Sequence, residues 1–223
     1  MADNLLSRIY QFLRSRAFIA LCLLLVIDAI FLGIHTESVL THYISNKNFR
    51  IDTEGGYAER FQYMKWFFLF LISGHLAFRR KFVGYSAWSI IFLYLLCDDA
   101  FQIHEIGGFV FSKYISIHSE FGLRSQDIGE LCTSTIFGTI FVGLVSRVYW
   151  VGDIQFRTIC RDLFCLMVIL AFFGIVLDML HVVFGGINWK LNAIFAAVED
   201  GGEMFVASMI CSYLLWQAIQ AKE

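Results

Sequence analysis

Proline is absent from all 223 residues. Membrane proteins often break helices with proline or glycine near a midplane site, so only glycine is left for that job. Charge is also scarce. Asp, Glu, Lys and Arg make up 16% of the chain, and a net charge of −2 gives no electrostatic reason to expect nucleic acid. Cys22, Cys97, Cys132, Cys160, Cys165 and Cys211 lie in or beside apolar runs and form no C-x-x-C pair. That pattern predicts buried thiols rather than disulfides or zinc ligands. The first apolar run has full span length and no small-residue cleavage site after it, which argues against a cleaved signal. The segments between runs are too short to form a second core.

What remains is apolar: 58% of residues are hydrophobic, 17% are aromatic, 24 are Phe, and the mean hydropathy is +0.67. These values predict an integral, multi-pass, all-α membrane helix bundle. Six runs approach the ~20 residues that a crossing helix needs: about 17–36, 61–78, 83–106, 126–150, 162–184 and 188–218. They define one transmembrane domain over 17–218, with a short tail at 219–223. Residues 1–16 alternate Arg8, Arg14 and Arg16 with Leu5, Leu6, Ile9, Tyr10 and Leu13, as in an amphipathic helix on a membrane surface. With those arginines in the cytoplasm, ten basic residues fall inside and seven outside, Lys65 being counted outside. Both termini are then cytoplasmic.

Acidic residues interrupt the runs. Glu199-Asp200-Gly201-Gly202-Glu203 lies in the middle of the last one. A charge at the bilayer centre costs at least about 2.5 kcal/mol, so something must offset it. Alternating the direction of the runs places Asp28, His35, Asp98, Asp99, His104, Glu105, Asp127, Glu130, Asp178, His181, Glu199, Asp200 and Glu203 in one leaflet, the outer one. Asp178 and His181 are three apart and Glu199 and Glu203 four apart, so each pair shares a helix face, with Asn192 on the face of the second pair. Gly201-Gly202 would admit a neighbouring helix or let the helix widen. Simpler roles exist for several residues. Asp127 and Glu130 suit a helix N-terminus. His104 and Glu105 suit an interface, and His35, His42 and His118 suit solvent or an interface. His75 suits a hydrogen bond within the bundle.

Carboxylates gathered in low dielectric must protonate, pair or bind metal. Carboxylate and His side chains on facing helices build dinuclear iron or manganese sites, and Asp178-x-x-His181 has the form of the Glu-x-x-His ligand pair with Asp in place of Glu. Zinc with an open water position is an equal option. The expected metal set is Asp178, His181, Glu199 and Glu203, helped by Asp98, Asp99, Glu105 or Glu130, with Asp28, His35, His104, Asp127 and Asp200 as secondary candidates. The divalent ion would be Fe, Mn or Zn, mononuclear or dinuclear. Such a site suits an oxidoreductase or hydrolase acting on a lipid or lipophilic small molecule. The alternative is a cation or proton channel using the same acids, extended inward by Thr133, Ser134, Thr135, Ser208 and Ser212, in a monomer or a homo-oligomer.

Asp98-Asp99 with His104-Glu105 at the end of one run, and Glu199-Asp200-x-x-Glu203 in the last, resemble a pattern in small uncharacterised bacterial multi-pass membrane proteins. The resemblance covers the last two-thirds of the chain. It implies the bacterial inner membrane and no established activity. Membrane hydrolases related to alkaline ceramidases fit less well. Their paired His in a late span is missing, and six runs replace their seven.

Overall fold

The computed structural model describes residues 9–41, 43, 44, 46–114, 119 and 122–221. The first half of the expected amphipathic segment, His42, His118 and the last two residues of the tail lie outside the described residues. Among the described residues the regular elements are helices, with no strand. In order they are α1 (Arg16–Leu40), a 3-10 turn (Lys47–Phe49), α2 (Tyr57–Arg80), α3 (Gly84–Phe101), α4 (Ile103–Tyr114), α5 (Ser125–Val151) and α6 (Ile154–Ala171). A π-helical turn (Phe172–Leu177) then leads to α7 (Asp178–Phe184), a 3-10 turn (Gly185–Ile187) and α8 (Trp189–Gln220).

Three helical segments are long and apolar enough to cross a membrane: Arg16–Leu40, Ser125–Val151 and Ile154–Ile187. A fourth joins them if α3 and α4, bent by 69°, count as one span. Helix α1 is apolar on the outside and polar on the inside. Ile19, Leu23, Val26 and Ile30 are exposed, whereas Asp28, His35 and Ser38 are buried. Lipid around the bundle would explain that inversion, because hydrocarbon leaves apolar side chains no reason to turn inward. Polar groups, by contrast, need partners.

The inward polar groups of α1 find those partners on α2 and α8. Lys65 Nζ donates to Asp28 Oδ1 at 2.7 Å and to the Met204 carbonyl at 2.9 Å. Ser208 Oγ donates to Asp28 Oδ2 at 2.6 Å, and Ser212 Oγ to the Ala17 carbonyl at 2.8 Å. Lys65, counted among the outside basic residues, therefore belongs to the bundle interior. Beside this cluster, Trp66, Leu69, Trp88, Phe92, Leu163, Ile210 and Leu214 form the main apolar core. His75, expected to bond within the bundle, is exposed.

Three expectations about the runs change. The third run is not one straight helix. Helix α3 ends as Gln102 takes a left-handed conformation (φ +52°), and α4 departs at an angle. Neither proline nor glycine is used for this break. Instead, Asp98 Oδ1 accepts from the His104 amide at 2.9 Å, replacing a carbonyl that the new helix lacks at its start. Gly107 and Gly108, just past the expected end of that run at 106, lie inside α4. A Cβ on Gly129 of α5 would collide with the Gly108 carbonyl, so these small residues let α4 and α5 touch. The fifth run starts earlier than expected, at Ile154. Asp153 caps it by accepting from the Phe156 amide at 2.7 Å, which places Arg157 and Arg161 on the helix.

Candidate functional site

At one end of the bundle the helices part around a cavity of about 950 Å³. Six parts of the chain bring acids to it. The loop after α1 supplies Asp52 and Glu54, α2 supplies Glu59, and the α3–α4 bend supplies Asp98, Asp99 and Glu105. Helix α5 adds Glu130, α7 adds Asp178, and α8 adds Glu199, Asp200 and Glu203. Against these eleven carboxylates the lining offers one guanidinium, Arg124, and two imidazoles, His104 and His181. That guanidinium is itself engaged. Arg124 Nη2 lies 2.6 Å from Asp127 Oδ1, and the Asp127 carboxylate holds its pKa above the usual arginine value.

Two acid–imidazole pairs stand in the wall. His181 Nδ1 lies 2.7 Å from Glu199 Oε2, and its Nε2 lies 3.0 Å from Asn192 Oδ1. The ring also stacks on Phe195, with centroids 5.9 Å apart. His104 Nδ1 lies 3.1 Å from Asp98 Oδ2. Deeper in, Trp66 Nε1 donates to Asp99 Oδ2 at 2.7 Å, and Tyr63 donates to Glu59 at 2.5 Å. Glu130 accepts from Gln126 at 2.9 Å, and Gln102 donates to Glu54 at 2.5 Å.

The π-helical turn shapes the floor. It adds a residue to a helical turn directly before Asp178, a device common at functional sites. Within it, Gly174 faces the Glu203 carboxylate, and a Cβ there would collide with it. A Cβ on Gly202 would likewise collide with the Phe173 ring. The pair Gly201-Gly202 thus divides its expected duties. Gly202 admits a neighbour, while the widening occurs on the facing segment rather than on α8.

A family model matches residues 57–217. The chain belongs to the family described as "Domain of unknown function (DUF8692)". No curated protein and no solved structure matches the chain. The family region runs from the start of α2 into α8. It includes nine of the eleven cavity carboxylates and leaves out Asp52 and Glu54. The expected resemblance to an uncharacterised family over the last two-thirds of the chain agrees with this.

All eight residues of the expected metal set line the cavity, namely Asp98, Asp99, Glu105, Glu130, Asp178, His181, Glu199 and Glu203, and so do His104 and Asp200. Three secondary candidates lie elsewhere. Asp28 is paired with Lys65. Asp127 closes a capping box with Arg124 at the start of α5, the helix N-terminal role weighed for it. His35, 1% exposed, accepts from the Ile51 amide at 3.4 Å and fastens the loop to α1. That loop is also tied internally by the Arg50–Asp52 ion pair, which raises the Arg50 pKa.

Asp52, Glu54, Glu59, Gln62, Trp66 and Tyr94 also line the cavity and were not expected there. Glu59, Gln62 and Trp66, at i, i+3 and i+7, share one helix face, a signal present in the sequence. Among the described residues no three His, Cys, Asp or Glu side chains already converge as metal ligands. Both His181 nitrogens are engaged, so ligation by this ring requires release of Asn192 or Glu199.

Proposed function

We propose that this chain is a six-crossing protein of a bacterial inner membrane, with both termini cytoplasmic, whose outward cavity binds a divalent metal ion. The reading is carried by one observation: eleven carboxylates line a cavity with a single, already paired, guanidinium. Asp99, Glu130, Asp178, Glu199, Asp200 and Glu203 share this lining, and ionised carboxylates gathered in low dielectric repel one another. A cation relieves that repulsion. Asp178, Glu199 and Glu203 would be the first ligands, with His181 joining as its ring leaves Asn192. Such oxygen and nitrogen donors favour Mn, Fe or Zn.

Six crossings follow if α2 and α8 span as well. Their charged side chains turn inward, Lys65 to Asp28 and Glu199, Asp200 and Glu203 to the cavity, so they need not meet lipid. The decisive measurement is elemental analysis of protein purified without chelator. We expect about one or two metal ions per chain and a marked loss of metal in Glu199→Gln and Glu203→Gln. Metal-free wild type, or unchanged content in both variants, would refute the reading.

One observation favours the conducting alternative. Met204 lines the cavity floor, and its carbonyl accepts from Lys65, which continues through Asp28 to Ser208. This is a hydrogen-bonded cluster beside the cavity whose titratable members are Lys65 and Asp28; the Met204 carbonyl only accepts, so a proton would have to reach Lys65 directly from the cavity. A proton pathway predicts flux in reconstituted liposomes that Lys65→Met abolishes. Proton-tight wild-type liposomes would exclude it.

A further inference from the structure

Gln62 is the polar side chain beside the cavity with the least to hold it. It is 5% exposed, it lines the cavity, and neither its amide oxygen nor its amide nitrogen has a partner among the described residues. Buried amides are rarely left without both a donor and an acceptor partner, and such a group calls for one. Its surroundings are chemically specific. Glu59 and Trp66 share its helix face, and the Trp66 indole donates to Asp99. An aromatic wall also lines the cavity, in which Tyr94 packs on Phe137 and Phe141 with centroids 4.4 and 4.9 Å apart. The volume, about 950 Å³, far exceeds the need of a metal ion. It falls instead in the range of about 300–1,000 Å³ found for pockets that hold organic molecules.

We propose that the inner part of the cavity is a subsite for an organic ammonium compound with an apolar body. Its nitrogen lies between Gln62 Oε1, Asp99 and Glu59. Its body lies along Tyr94, Phe137 and Phe141, and a hydroxyl or carbonyl beside the nitrogen takes the free Gln62 N–H. Carboxylates and aromatic faces together are what an ammonium group binds best. An anion would meet the acidic lining, and a neutral molecule would leave that charge uncompensated. The proposal rests on the cavity admitting cations, as argued above, but not on a metal being bound.

The test uses the full chain in lipid nanodiscs, stripped of metal with chelator, and calorimetric titration with 2-amino-1-phenylethanol. The neutral comparison is 1-phenyl-1,2-ethanediol. We expect the amine to bind at least about tenfold more tightly than the diol, and Gln62→Leu to weaken it by about tenfold or more. Gln62→Glu, which restores an acceptor, should keep the binding. Equal binding of amine and diol, an unaffected Gln62→Leu variant, or no amine binding to folded wild type would each overturn the proposal. If Gln62→Leu does not fold, Gln62→Glu and the amine–diol comparison decide. Metal content measured on the unstripped protein separates the two readings. Amine binding without metal refutes only the metal, and metal without amine binding refutes only the subsite.

Discussion

Lys65 and Asp28 show what a single buried charge requires of its neighbours. Each is almost fully enclosed, and each has further hydrogen bonds, to Met204 and Ser208, besides the ion pair itself. Removing one partner strands the other. Asp28→Asn or Lys65→Met alone should lower stability by about 3–5 kcal/mol. The double variant Asp28→Leu/Lys65→Met should recover most of that loss, because a well-packed apolar pair often equals a buried ion pair. Denaturant unfolding in mild detergent gives the comparison, and additive losses in the double variant would show that the two residues act separately. At the same scale, Gly174 has a role only because Glu203 stands against it. Nothing in the sequence around Gly174 marks it out from the other glycines of the chain.

The α3–α4 bend is the element that most affects the cavity. A straight continuation of α3 would carry His104 and Glu105 onward along its axis. The turn at Gln102 instead lays α4 against α5, where Gly108 meets Gly129. The Asp98 carboxylate holds the bend by accepting from the His104 amide. Asp98→Ala should therefore cost about 1 kcal/mol of cap stabilisation and speed hydrogen exchange at the His104 amide. Asp98→Asn, which keeps an acceptor, should exchange nearly as slowly as wild type. Equal protection in all three forms would mean that packing alone sets the bend. The π-helical turn is the second local departure, and it moves Asp178 and His181 relative to the helix that precedes them.

For the whole molecule, the separation of charge is the main fact. One end of the bundle gathers carboxylates, and its middle is an apolar core. If the cavity holds a divalent ion, its ligands must be ionised carboxylates and neutral imidazole, so protons compete with the metal. Affinity should then rise with pH, by up to about tenfold per pH unit for each proton released, and fall as the solution is acidified. Metal titration at several pH values in nanodiscs checks this. A flat profile across the acidic range would argue against carboxylate ligation.

The gathering of Asp98, Asp99, Glu105, Glu130, Asp178, His181, Glu199 and Glu203 was legible from the order of the chain. Apolar runs near crossing length must alternate in direction, and an acid near the end of one run then meets an acid near the start of the next. Helical spacing alone put Asn192, Glu199 and Glu203 on one face. Three things were settled only by tertiary contacts. Asp28 carries the same charge as the cavity acids, yet it found a cation in Lys65, and that depends on which helices touch; Asp127 found its cation locally, in Arg124 three residues earlier. The break at Gln102 depends on a carboxylate four residues earlier reaching a later amide, which no residue preference announces. Gln62 has ordinary polar chemistry in the sequence. Its isolation beside an acidic, aromatic-walled cavity exists only because elements far apart in the chain enclose that space.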